Sequence, residues 1–273
     1  MRMIHQNENH DFYLIQLFQT IIYSERVLEF CSDREPDGEA PPVLIDHHGH
    51  LSDSRLTPVL DALVSCLRQS GVTKVIMGGT TSEDWDRQLE IQARYPDFAV
   101  PVFGIHPWNV ASSNQDVLQS MYGELERKIP LAAYAGEVGL DFFRCETSEE
   151  RSKQEYWCER QLTLARHLKK PVVIHCVRAH DRMLSLLKKT KITEGLVHGF
   201  TANENIGRQY LNLGLKLSID GHDLTGPHQR KFAWLTRADY VLESDEPFDR
   251  EDLSDPATLA RRWVSHLRDD VRV

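Results

Sequence analysis

Pro42-Val43-Leu44-Ile45-Asp46-His47-His48-Gly49-His50-Leu51 is an apolar run that turns abruptly into imidazoles. It reads as a β-strand carrying polar side chains out of a core. Strand side chains alternate faces, so His48 and His50 are expected on one side together with Asp46, and His47 on the other. Two imidazoles on one side of a strand end can hold a divalent cation, since neutral imidazole is the commonest metal ligand in proteins. Taken alone, a His-x-His pair also fits solvated or core histidines. The surrounding chain decides between them.

Strand-like runs recur at 43–47, 74–78, 99–105, 132–138, 172–176, 195–198, 215–219 and 240–243. Helical patterns lie near 57–70, 83–95, 114–127, 148–169, 179–190, 203–212, 228–236 and 256–267. Regular β-then-α alternation implies right-handed parallel crossovers. Eight such units within 43–268 predict an α/β fold, a (β/α)8 TIM barrel. The rival, an open doubly wound sheet, lacks the G-x-G-x-x-G fingerprint after its first strand. A barrel gathers its catalytic residues at the C-terminal ends of its strands. Here His48 and His50 end the first strand, His106 the third, Glu137 the fourth, His175 the fifth, His198 the sixth and Asp245 the eighth.

Any one of these has a dull reading as a satisfied or solvated polar side chain. Together they would be costly to bury without partners, and a shared metal is the economical account. Histidine and carboxylate ligands without thiolates suit Zn2+, Mn2+ or Fe2+, and Mg2+ where carboxylate and water dominate. A bridging carboxylate at Glu137 would allow two divalent ions about 4 Å apart, a clamp for in-line phosphoryl displacement that also acidifies a water. Asp245 would then hold that water and accept its proton.

Composition narrows the options. The 273 residues carry a net charge of −9, with 41% hydrophobic and 27% charged residues, ordinary for a soluble globular protein. The charge argues against broad electrostatic attraction to nucleic acid or anionic membrane. A phosphate-bearing substrate stays open, because bound cations reverse the potential inside a pocket. Five scattered cysteines without a C-x-x-C pair fit a reducing compartment. No apolar run approaches the ~20 residues of a membrane span, and no leader pattern opens the chain, so a cytoplasmic location is expected. Residues 1–42 stand apart as an N-terminal extension. A helical pattern over 12–31, with Leu14, Leu17, Phe18, Ile21 and Leu28 on one face, precedes a Pro- and Gly-containing linker. Segment 12–31 is a candidate for contact with a protein partner or a second copy, and a poorly ordered extension is the alternative. The barrel domain is expected over 43–273.

Six stretches carry a resemblance: Asp46-His-His-Gly-His-Leu51, Gly104-Ile-His-Pro107, Gly136-Glu-Val-Gly-Leu-Asp141, Pro171-Val-Val-Ile-His175, Val197-His-Gly-Phe200 and Leu242-Glu-Ser-Asp-Glu-Pro247. With Gln154, Gln161, Leu164 and Ala165, they make residues 43–250 similar to the TatD-related deoxyribonuclease family of metal-dependent hydrolases. The resemblance implies metal ligands at His48, His50, Glu137, His175, His198 and Asp245, with Glu137 bridging two divalent ions and Asp245 also the catalytic acid/base. It implies that His106 contacts the scissile phosphate, and that the substrate is DNA, trimmed as a single strand from its 3′ end. The family commonly has Arg two residues after the strand-5 histidine, where this chain has Val177. Arg178, His180 and Arg182 are the neighbours able to substitute, with an exposed helix face as the plain alternative. The stretch after Asp245 is shorter than the family's, so the loop that helps shape the substrate site is expected to be trimmed.

Two other readings remain. An amidohydrolase-like barrel would cut C–N or C–O bonds, but such barrels usually bridge their metals with a modified lysine where this chain has Glu137. A catalytically silent, partner-binding barrel would be expected to have lost some of the ligands.

Overall fold

The computed structural model describes residues 43–247 and 253–269. The candidate helix at 12–31 and its linker lie outside them. Among the described residues nine strands occur in chain order: β1 (Leu44–Gly49), β2 (Val72–Met77), β3 (Ala99–Val100), β4 (Val102–Phe103), β5 (Tyr134–Asp141), β6 (Val172–Val177), β7 (Gly195–Val197), β8 (Leu215–Asp220) and β9 (Tyr240–Glu243). Every ladder is parallel, in the orders β1-β2-β3 and β4-β5-β6-β7-β8-β9. Between them run α1 (Leu60–Gln69), α2 (Ser82–Arg94), α3 (Pro107–Ser112), α4 (Gln115–Lys128), α5 (Ser148–His167), α6 (His180–Thr190), α7 (Glu204–Asn212), α8 (Gly221–Thr225) and α9 (Gln229–Phe232), and α10 (Pro256–His266) comes last. The architecture is the expected TIM-barrel-like α/β fold, with one strand position split in two.

Pro101 makes the split. Proline has no N–H for a ladder, and the next amide, Val102 N–H, donates instead to Gln88 Oε1 at 2.8 Å. β3 therefore pairs backward with β2, and β4 forward with β5. At the other seam β1 and β9 lie side by side. Individual bonds join them there: Asp245 N–H donates to His48 O at 2.9 Å and His50 N–H to Glu246 O at 2.7 Å.

Local chemistry places the helices. Thr81, Asn114 and Asn203 cap α2, α4 and α7 with their side chains, and Thr147 with Glu150 forms a reciprocal capping box on α5. α1 buries Leu60, Leu63, Val64 and Leu67, the spacing of one helical face. α10 packs against α1, and its Trp263 reaches Asp46 of β1. Three buried glutamines tie helices to strand ends where ladder bonds run out. Gln88 donates to Gly78 O at 2.9 Å, Gln161 exchanges bonds with Ile105 at 2.7 and 3.1 Å, and Gln154 accepts Asp141 N–H at 2.8 Å. A buried amide is worth keeping only when paired, and each of these orders the loop beside the barrel mouth.

Candidate metal centre and substrate cleft

One mouth of the barrel opens into a cleft of about 490 Å³ whose floor includes His50, His106, Glu137, His175, His198 and Asp245. Glu137 is its hub. Its Oε1 lies 3.7 Å from His48 Nε2, and its Oε2 lies 3.5 Å from His106 Nε2, 3.7 Å from His175 Nδ1 and 3.0 Å from His198 Nε2. Asp245 Oδ1 stands 3.5 Å from His48 Nε2 and 3.1 Å from His50 Nε2. All six expected ligands and His106 are thus gathered at one place.

Two local irregularities aim these side chains. Glu137 was expected at a strand end, but β5 runs on to Asp141, which leaves Glu137 mid-strand. The β5–β6 register shifts between Ala135 and Val138, and Glu137 N–H bonds to Gly79 O at 2.8 Å instead of to β6. The second irregularity lies in β1, whose register with β2 shifts between Asp46 and Gly49. Asp46 therefore does not join His48 and His50 beside Glu137 and Asp245. It is fully buried on the opposite side, accepting from Ser244 Oγ at 2.6 Å, Trp263 Nε1 at 2.5 Å and the His48 amide at 3.1 Å. Gly49 faces the same way, since a Cβ there would meet Asp46 Oδ2 at 2.5 Å. His47 points to β9, its Nδ1 3.2 Å from Leu242 O. Asp245 has φ +54°, a left-handed conformation uncommon for a non-glycine residue and typical of functional sites.

Burial and charge set the protonation states. Burial pushes His48 down to about 3, so its imidazole is neutral. Burial also lowers His106, and its Nδ1 accepts Trp108 N–H at 3.2 Å, which leaves the Nε2 proton on the side of His175 Nδ1, 3.3 Å away, and Glu137 Oε2, 3.5 Å away. Burial opposes ionisation of Glu137, but the surrounding imidazoles of His48, His106 and His198 outweigh it and hold the carboxyl well below its usual range. Asp245 is likewise lowered to about 2, because its hydrogen bond with His50 and nearby imidazole charge exceed the cost of burial.

The donor set fits a cation. Buried atoms His48 Nδ1 and Nε2, Glu137 Oε1, His175 Nε2 and His198 Nδ1 have no hydrogen-bond partner. Such groups are costly unless something else satisfies them. Two trios, His48–His50–Asp245 and His48–Glu137–His198, each bring three ligand atoms within 4.8 Å of one another. A third trio of the same kind is His106–Glu137–His175.

The residues beside strand 5 fall elsewhere. Arg178, with φ +55°, lies over the ring of Phe143 at 4.4 Å and is not among the side chains lining the cleft. His180 faces the helix packing, its Nδ1 3.1 Å from Tyr210 Oη, and Arg182 pairs with Glu155. The cleft wall instead presents Arg55, Trp108, Phe143 and Arg144. Arg144 stacks over Trp108 at 3.8 Å, and Trp108 Nε1 donates to Asp141 Oδ2 at 2.6 Å. Asp141 stood inside a recognised motif and Trp108 directly after one, neither with an assigned role. Arg55 and Arg144 lie in short 3-10 turns that follow β1 and β5, and that position was the available signal.

A parallel α/β barrel with carboxylates and imidazoles converging at one mouth defines the class of metal-dependent hydrolases. A sequence model of the family described as TatD-related DNase matches residues 45–267, and the chain belongs to that family. It is 31% identical over 209 residues to the metal-dependent hydrolase YjjV of Escherichia coli K12, covering 74% of this chain and 79% of that protein. It is 28% identical over 205 residues to the 3'-5' ssDNA/RNA exonuclease TatD of Pantoea ananatis, covering 73% and 77%. The solved structure of E. coli YjjV superposes with a TM-score of 0.68 at 26% identity, covering 81% of this chain and 88% of that one. A TatD-family hydrolase from Entamoeba histolytica shares the fold, with a TM-score of 0.65 at 20% identity over 75% and 74% of the two chains.

Proposed function

We propose that this chain is a nuclease that removes nucleotides from the 3′ end of single-stranded DNA, using two divalent cations held by His48, His50, Glu137, His175, His198 and Asp245. The observation that carries the reading is the convergence of these six side chains on Glu137 and Asp245, with buried ligand atoms left unsatisfied. The names of the Pantoea relative and its counterparts support the substrate class and the polarity. Mg2+, Mn2+ and Zn2+ are the candidate cations, which would supply Lewis acidity at the phosphate and an acidified water.

The chain's own groups divide the remaining work. Ionised Asp245, partly open to the cleft, takes the proton of the attacking water. Neutral His106 offers its Nε2 proton to a phosphate oxygen. Trp108 and Phe143 are exposed, and the ring faces not covered by Arg144 and Arg178 give bases a surface on which to stack. No lysine is among the side chains lining the cleft, which speaks against the amidohydrolase alternative. No helix among the described residues is long and apolar enough to cross a membrane. Cys145, Cys158 and Cys176 are free thiols, which supports the cytoplasmic placement that belongs to this reading. Residues 43–273 are read as the catalytic domain and 1–42 as an appended segment.

The test uses single-stranded DNA labelled at the 5′ or the 3′ end, with each cation in turn, beside an Asp245→Asn control. Stepwise shortening from the 3′ end, dependent on metal and lost in the control, is expected. Equal RNA cleavage would broaden the substrate. No phosphodiester turnover, with an amide or lactone cleaved instead, would overturn the proposal.

A further inference from the structure

A second group of metal-ligand atoms lies outside the cleft. Asp220 ends β8, His222 lies in α8 and His266 ends α10, and one ligand atom from each falls within 4.8 Å of the other two. Asp220 and His222 flank Gly221, and His266, 46 residues beyond Asp220, joins them because Gly221 lets the end of α10 come close. A Cβ at Gly221 would stand 2.1 Å from Arg268 O and 2.7 Å from His266 O.

We propose that Asp220, His222 and His266 form a separate divalent-cation site of the zinc class, which clamps the last helix to the end of β8. Asp220 uses Oδ1 to cap α8 through His222 N–H at 2.9 Å, leaving Oδ2 facing His266 Nδ1 at 2.8 Å. His222 completes the trio, its Nδ1 3.5 Å from Asp220 Oδ1 and its ring centroid 4.6 Å from that of His266.

The surroundings of His266 carry the argument beyond an ordinary ion pair. Its other nitrogen, Nε2, lies 3.3 Å from Glu246 Oε1, and Arg262 holds both oxygens of Glu246 at 2.6 and 2.8 Å. Ligating histidines are commonly fixed in this way, the far nitrogen donating to a carboxylate that is itself anchored. A cation would take the place of the Nδ1 proton, which leaves to solvent. His222 is 55% exposed, so water can reach the remaining position of a tetrahedral shell. Two imidazoles and one carboxylate select Zn2+, Ni2+ or Cu2+ over Mg2+.

The experiment dialyses the full chain and its His222→Gln variant against Zn2+ and counts bound metal by mass spectrometry. The wild type is expected to hold one equivalent more than the variant. Because a lost ligand costs at least as much as a lost outer partner, that equivalent should weaken by about 100-fold in His222→Gln. Zn2+ at a hundredfold excess over its Kd should raise the wild-type melting temperature about 5–10 °C above any rise in the variant. His222 is exposed, so the metal-free variant should melt with the wild type; a Cu2+ paramagnetic spectrum with two nitrogen ligands, reduced to one in the variant, is a second readout. Equal metal content and equal affinity in the two proteins would overturn the proposal. The cleft ligands are untouched by the substitution, so that result would leave the proposed nuclease reading standing.

Discussion

Gly78→Ala tests the geometry of the centre without altering a ligand. A Cβ at Gly78 would stand 2.4 Å from His50 Cε1, 2.7 Å from His50 Nδ1 and 2.9 Å from Glu137 Oε1. Non-bonded carbon atoms settle at about 3.5–4.0 Å, so one partner must retreat by about 1 Å. Glu137 is 2% exposed and enclosed by imidazoles, whereas His50 is 26% exposed and has the cleft to move into. His50 therefore yields, and its contact with Asp245 opens. A misplacement of about 1 Å at a reacting centre costs about 100-fold in rate. Folding stability should hardly change, because replacing glycine restricts the unfolded chain, a gain of about 0.4–1 kcal/mol that offsets the local strain. The assay is turnover on labelled single-stranded DNA with saturating metal, beside a melting curve. Gly123→Ala is the control, since its Cβ would meet only Arg127 Nη1 at 3.8 Å within α4. It should gain about 1 kcal/mol from helix propensity with activity intact. If Gly78→Ala kept activity within threefold of wild type, His50 and Glu137 could not be held where the reaction needs them.

Three further outcomes are expected. Chelation should lower the melting temperature by about 5–10 °C relative to protein held at a hundredfold excess of metal over Kd, and readdition should restore it; an unchanged curve would mean that the orphaned cleft atoms bind nothing. Gly139→Ala should cost at least about 3 kcal/mol or prevent folding, read by urea unfolding, because its Cβ would lie 1.8 Å from His175 O in the β5–β6 ladder. In metal-free protein, His266 is raised from 6.5 to about 9, since the carboxylates of Asp220 and Glu246 hold its proton against the cost of burial. Its stabilisation is full below pH 6.5 and is lost as pH rises through 9, so wild type should exceed His266→Gln by on the order of 2 kcal/mol at pH 6, with most of that gap gone at pH 10. A gap independent of pH would refute the assignment.

The strand and helix alternation was legible because parallel barrel strands are buried on both faces and their helices are amphipathic, and both features leave periodic apolar marks. The candidate ligands stood out for a related reason. Imidazoles and carboxylates directly after apolar runs have few explanations other than a shared site. What escaped was set by tertiary context. Pro101 stood in plain sight, yet only the partner of Val102 N–H shows that it splits a strand. Gln88 looks like a surface residue, and Gln154 and Gln161 counted only toward the resemblance, until strand ends are found that need their amides. His180 opens α6 one residue after Ala179, and Tyr210 on the neighbouring helix claims it.

Asp46 shows most plainly why alternation alone misplaces a residue. A period of two sends Asp46, His48 and His50 to one face, and a single register shift reverses every side chain before it. Its counterpart lies 198 and 217 residues downstream, where Ser244 and Trp263 supply three donors to the carboxylate on the side away from the cleft. With those bonds Asp46 fastens β1 to the Asp245 loop and to α10. The same bonds that hold Asp46 away from the candidate metal centre fasten the Asp245 loop to β1, where His48 Nε2 and Asp245 Oδ1 stand 3.5 Å apart.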